Sequence, residues 1–128
     1  MTKTLQLSEN EGWNLAFNAL LNHETSKDNA KEVADALISA EFDGQSGHGL
    51  SRIPSYVEQL SSGKVNGNVS PKIISCKGSV IRIDAGNGFA FPAISLALNE
   101  ITKTCKSFGI AAVGISRSHH FGQAGRHV

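Results

Sequence analysis

Two runs of the chain carry residues that could move a proton and grip an acid. His48-Gly-Leu-Ser-Arg52-Ile-Pro-Ser-Tyr56 sets an imidazole, a guanidinium and a phenol at steps of four. Ser118-His-His120-Phe-Gly122 supplies a second imidazole after an apolar run. Imidazole exchanges a proton near neutral pH. A guanidinium fork holds a carboxylate through two parallel hydrogen bonds. The combination suits a small 2-oxo or 2-hydroxy acid, gripped by its carboxylate while a proton comes and goes at the neighbouring oxygen.

The surroundings of each run sharpen this. His48 lies among Gly44, Gly47 and Gly49, in a loop predicted to enter a helix near Ser51. Such a loop brings backbone close to a ligand, and the helix N-terminus favours an anion. Arg52 falls in the expected first turn, where a cation opposes the macrodipole, and Tyr56 follows one turn on. An anionic group at this point would account for Arg52. The same spacing also fits a surface loop with a solvated His48 and an Arg52 that caps a carbonyl. His119 and His120 follow Ile110–Ile115, a predicted strand, at its carboxyl end, where open α/β sheets place their sites. Adjacent side chains diverge, so one of the two histidines is expected to face the cleft. Zinc is a competing use of His48, His119, His120 and His127 with a carboxylate. No HxxxH, HxH or cysteine pair presents two ligands from one element, so no metal is expected. Gly86-Asn-Gly88 lies between a strand and a helix, as a dinucleotide turn should, yet Phe91 occupies the third glycine position and no acidic residue closes a second strand. A Rossmann turn is not expected.

The elements that must position these groups follow from periodicity and caps. Ser8-x-x-Glu11 and Thr25-x-x-Asp28 are capping-box signatures ahead of two amphipathic helices. The first carries Trp13, Phe17, Leu20 and Leu21, and the second Val33, Ala36, Leu37 and Ala40. A third helix is predicted from about Ser51 as N-cap, with Pro54 in its first turn, ending at Ser-Ser-Gly63. Residues 63–71 form a turn-rich connector. Ile73–Cys76 and Ser79–Asp84 read as strands, Gly86–Gly88 as a loop, and Pro92 as a helix opening. Ile94, Leu98, Ile101, Cys105 and Phe108 predict a buried stripe that ends at Gly109. Ile110–Ile115 is apolar on both faces, as in a parallel or mixed sheet covered by helices. The layout is α/β, with a helical N-terminal lobe over residues 1–66 carrying His48, Arg52 and Tyr56. Residues 67–128 read as the start of an α/β domain. The site loop arrives just before Val128, so the sequence is read as the N-terminal part of a longer protein.

Composition removes other classes. A chain of 128 residues with 40% hydrophobic and 18% charged residues is one globular unit by length, able to bury roughly two-thirds of its unfolded surface. A net charge of +1, with scattered Lys and Arg, gives no nucleic-acid footprint. No leader-like or membrane-spanning stretch is present in these residues, so a cytoplasmic protein without membrane partners is expected. Cys76 and Cys105 stand 29 residues apart and are read as small buried hydrophobes.

The order of motifs resembles the malate/L-lactate dehydrogenase family, which includes sulfolactate, ureidoglycolate and diketogulonate dehydrogenases. The matching residues are Val33–Ala40, Gly44, His48-Gly49-Leu50-x-Arg52-x-Pro54-x-Tyr56-Val57, Gly63, Asp84-x-x-x-Gly88, Gly109-Ile110-Ala111 and Ser118-x-His120-Phe121-Gly122. The resemblance implies a non-Rossmann, three-layer α/β domain with a mixed sheet, a homodimer, and an NAD- or NADP-dependent interconversion of a small 2-hydroxy acid and its 2-oxo acid. It implies that His48 is the proton donor and acceptor and that Arg52 and Tyr56 hold the carboxylate end. His120 would face both substrate and nicotinamide, with Ser118 and Gly122 beside the cofactor. The family commonly has Ser immediately before the loop histidine; here Gly47 takes that place and Ser46 is displaced by one. Its members are well over twice this length, so the 128 residues alone are expected to be inactive. The alternative is a non-catalytic remnant or dimerising module that keeps the motifs.

Overall fold

The computed structural model describes residues 5–127. Residues 1–4, which begin the stretch read for a leader, and Val128 lie outside them. The order is α1 (Glu9–Leu21), α2 (Lys27–Phe42), two 3-10 turns (Ser46–His48 and Leu50–Arg52), α3 (Ile53–Ser61), β1 (Lys72–Lys77), β2 (Val80–Phe89), α4 (Ala90–Phe108), β3 (Ala112–His119) and a last 3-10 turn (Ala124–His127). A helical lobe is thus followed by an α/β part, in the predicted order. No helix among the described residues is long and apolar enough to cross a membrane.

Local chemistry explains the helix starts. At α1 the capping box forms: Glu11 N–H donates to Ser8 Oγ, and Ser8 N–H donates to the Glu11 carboxylate at 2.8 Å. At α2 the cap is Ser26 rather than Thr25. Asn29 N–H donates to Ser26 Oγ at 3.3 Å, while Thr25 is buried and donates to the His23 carbonyl. The connector explains the shift. Gly67 lies against Thr25, and its carbonyl accepts from Ser26 N–H at 3.1 Å and from Asn29 Nδ2 at 2.8 Å. Asn29 also donates to the Val69 carbonyl at 2.8 Å, pinning the connector to α2.

β1 and β2 form an antiparallel hairpin through Gly78, whose φ of 58° opens the two-residue turn. β2 and β3 run parallel through α4, so the sheet is mixed, in the order β1-β2-β3. Gly86–Gly88 is not the predicted loop. β2 continues through it with a bulge, since Asp84 pairs with Ser116 and Gly88 with Ser118. Gly86 and Asn87 both have φ of 61°. A Cβ on Gly88 would stand 2.6 Å from Val69 Cγ1, and Asn66 N–H donates to the Asn87 carbonyl at 2.9 Å. These glycines admit the connector.

One apolar cluster joins α1, α2 and α3 to Phe89 and Phe91; a second sets Ala93 and Ala97 against Ile81, Ile83 and Ala85. The predicted α4 stripe is only partly buried: Ile94 is covered, but Leu98 and Phe108 are exposed. The helix docks through its small residues Ala90, Ala93 and Ala97, which rotates the larger ones toward the rim. β3 is likewise not covered on both faces, because within the described residues α4 packs on one side and β3 is an edge. Cys76 is exposed and Cys105 half-buried, against expectation; β1 is the outer strand and α4 lies over β2 and β3. Gly109 ends α4 with φ of 79°, as predicted.

The bulge is tied to β3 by an ion pair. Arg117 donates to both carboxylate oxygens of Asp84, at 2.9 Å and 2.5 Å, and Gly86 N–H donates to Asp84 Oδ1 at 2.9 Å. Arg117, then the Gly86 N–H, holds the Asp84 carboxyl down at about 2, from an ordinary 3.8. The folded value lies below the unfolded one, so this stabilisation is complete above about pH 4 and is lost as pH falls toward 2. Thermal melts between pH 5 and 2 should show a steeper fall in Tm for the wild type than for Asp84→Asn. Parallel curves would remove Asp84 from this role.

Candidate active site

The loop between α2 and α3 is built around a carboxylate that sequence reasoning passed over. Leu50 N–H donates to Glu41 Oε1 at 2.7 Å, and Gly49 lies so close to that carboxylate that any Cβ would collide with it. Ser51 does not cap α3. It lies in the second 3-10 turn, and its hydroxyl donates to the Ser46 carbonyl at 2.6 Å. Arg52 occupies the cap position, just before the first turn rather than within it, and Pro54 falls inside that turn, where its missing N–H is not needed. His48 ends the first 3-10 turn, exposed, with its backbone N–H donating to the Gln45 carbonyl at 2.7 Å.

Tyr56 and His120 come together although 64 positions separate them in the sequence. Tyr56 is only 2% exposed. Its ring lies 4.3 Å from that of His120, at 33°, and 5.2 Å from Phe89, at 49°. Phe89 and His120 stand 6.0 Å apart, completing an aromatic triad at the carboxyl end of β2. Burial pushes the Tyr56 phenol above its ordinary value, and the Arg52 guanidinium beside it draws it back. Apart from that phenol, the exposed Arg52 fork has no hydrogen-bond or ion-pair partner among the described residues, which leaves it open to an anion.

His120 follows the last residue of β3 with φ of 63°, a backbone conformation in which histidine is enriched among non-glycine residues. That turn separates its ring from His119, the two centroids being 6.2 Å apart. His120 Nε2 stands 2.8 Å from Gln59 Oε1. Burial, then the neighbouring His119, Arg52 and Lys64, pulls its pKa down to about 4, so the ring is uncharged at neutral pH. Ser118 pairs opposite Gly88 and is exposed. Gly122 has φ of 74°, and a Cβ there would stand 2.8 Å from the Phe91 ring. Its glycine is required by packing against Phe91.

Gln59 and Phe89 were not singled out from sequence. Gln59 sits three residues after Tyr56, next to Glu58 on α3, and no pattern in the sequence distinguishes it from an ordinary surface glutamine. The described residues contain no cluster of three His, Cys, Asp or Glu able to hold a metal. A cleft of about 560 Å³ between α1, the end of α2 and Leu50 includes none of His48, Arg52, Tyr56 and His120.

The sequence profile of the malate/L-lactate dehydrogenase family matches residues 7–128. The chain is 42% identical over 125 residues to the (2R)-3-sulfolactate dehydrogenase (NADP(+)) of Chromohalobacter salexigens, covering 98% of this chain and 37% of that protein. It is 39% identical over 99 residues to the Δ1-pyrroline-2-carboxylate/Δ1-piperideine-2-carboxylate reductase of Pseudomonas syringae pv. tomato, covering 77% of this chain and 29% of that one. The crystal structure of the Δ1-piperideine-2-carboxylate reductase from that organism superposes with a TM-score of 0.86 at 35% identity, over 93% of this chain and 36% of its own. The malate dehydrogenase of Entamoeba histolytica does so with 0.90 at 27%, over 98% and 35%. The chain therefore spans little more than a third of the length of these relatives. The family profile spans nearly the whole chain and the folds superpose over more than nine-tenths of it, and the chain belongs to the malate/L-lactate dehydrogenase family.

Proposed function

We propose that the protein is an NAD(P)-dependent oxidoreductase that interconverts a small 2-hydroxy acid and its 2-oxo acid. The observation that carries this reading is the unpaired Arg52 fork beside the Tyr56–Phe89–His120 triad. A free guanidinium accounts for a carboxylate, and the relatives' named substrates (sulfolactate, malate, pyrroline-2-carboxylate) all carry one next to the reacting carbon.

The fit to a nicotinamide cofactor is tested by the donor set. A half-buried, uncharged imidazole on an aromatic wall suits a flat, amide-bearing ring, and His120 with Ser118 and Gly122 would hold that end. When bound, the nicotinamide exchanges a hydride with the substrate. His48 delivers a proton to the substrate oxygen in reduction and removes it in oxidation, a role that its exposed place at the end of the first 3-10 turn suits. Arg52 and Tyr56 orient the carboxylate, and the Tyr56–Phe89 wall limits water at the reacting face.

Titrating a full-length protein that carries these 128 residues with NADH and NADPH, read by nicotinamide fluorescence, tests this reading. Saturable binding at micromolar cofactor, weakened in His120→Ala, is expected. Absence of binding to either cofactor would favour a non-catalytic module instead.

A further inference from the structure

We propose that Gln59 is a positioning residue that fixes the tautomer of His120, holding the proton on Nε2 and leaving Nδ1 as the ring's only acceptor. The argument is geometric. Gln59 Oε1 stands 2.8 Å from His120 Nε2, and the Gln59 amide nitrogen donates to Ser55 Oγ at 3.0 Å. With that nitrogen turned to Ser55, only a carbonyl oxygen faces the imidazole. A carbonyl accepts, so Nε2 donates.

The relay is set by α3 itself. Ser55 and Gln59 are one turn apart, at i and i+4, on the helix that also carries Tyr56. Tyr56 and Phe89 hold the plane of the ring, at 4.3 Å and 6.0 Å. The charges acting on His120 are those of His119, Arg52 and Lys64, the Tyr56 phenol beside it is uncharged at neutral pH, and no carboxylate is among them. A second proton on the ring is therefore disfavoured, and a neutral imidazole has one N–H and one lone pair. The consequence rests on the functional reading in one respect, that His120 meets a ligand. What it meets through Nδ1 must then be a hydrogen-bond donor, such as the hydroxyl of a 2-hydroxy acid or the amide of the nicotinamide.

The test is a long-range 1H–15N correlation spectrum of the full chain labelled with 15N-histidine, at pH 7. His120 signals are assigned by their loss in His120→Asn. The expected spectrum has a protonated Nε2 and an unprotonated Nδ1 for His120, and a mixture of tautomers in Gln59→Leu. Gln59→Glu is expected to keep the proton on Nε2 and to raise the pKa of the ring, because a carboxylate then faces it. This second variant decides the matter if Gln59→Leu does not fold. A wild-type proton on Nδ1, a Gln59→Leu tautomer identical to wild type, or an unmoved pKa in Gln59→Glu would overturn the proposal. Kinetics separate it from the functional reading. Gln59→Leu is expected to lower kcat/KM about tenfold, the loss of one hydrogen bond, with KM for the 2-hydroxy acid (followed in the oxidative direction) or for the cofactor rising according to which one donates to Nδ1. A changed tautomer with unchanged kinetics supports the role of Gln59 and overturns the placing of His120 at the ligand.

Discussion

Replacing His48 with alanine is expected to cut turnover by about 10² to 10⁴ while leaving cofactor affinity nearly intact. The residue sits in an exposed 3-10 turn with a solvent-accessible ring, and the loop around it is held from outside by Glu41 on Leu50 and by Ser51 on Ser46. Removing the imidazole therefore leaves the scaffold in place, and the loss falls on proton transfer alone. Steady-state kcat, with cofactor fluorescence measured in parallel, checks this. Near wild-type turnover in His48→Ala would take the proton-transfer role away from His48.

Arg52→Lys is expected to raise KM for the 2-oxo acid roughly 10- to 100-fold, with a smaller effect on kcat. Lysine keeps the charge but loses the fork, and a charge-assisted bidentate pair is worth about 1.5–3 kcal/mol. The prediction depends on Arg52 having no ion-pair partner among the described residues. If it were a structural cap, Arg52→Lys would keep KM and lower Tm instead. Measuring both quantities on one variant separates the two roles.

Much of this arrangement was legible in the residues. The capping box at Ser8, the glycine end of α4 and the helix–strand order are local, and local chemistry decides them. His48, Arg52 and Tyr56 could be picked out as candidates because one loop and one helix start carry all three. What was not legible depends on contacts between distant segments. The connector at Gly67 moved the cap from Thr25 to Ser26, and Val69 turned Gly86–Gly88 from a loop into a strand bulge. The α4 stripe was misjudged because periodicity ranks large side chains above small ones. The helix approaches the sheet through Ala93 and Ala97, which permit the closer packing. Gln59 escaped notice for the same reason: its partner His120 lies 61 positions away, and nothing in the spacing of α3 announces it.

The central claim is most directly tested by mixing a full-length protein that carries these 128 residues with NADPH or NADH and a panel of small 2-oxo acids, pyruvate, oxaloacetate and sulfopyruvate among them, and following nicotinamide absorbance. The account predicts oxidation of one cofactor that depends on the 2-oxo acid, is lost in His48→Asn, and does not occur with the matching aldehydes that lack a carboxylate. Cofactor oxidation that is equally fast with those aldehydes, or that persists in His48→Asn, would contradict it.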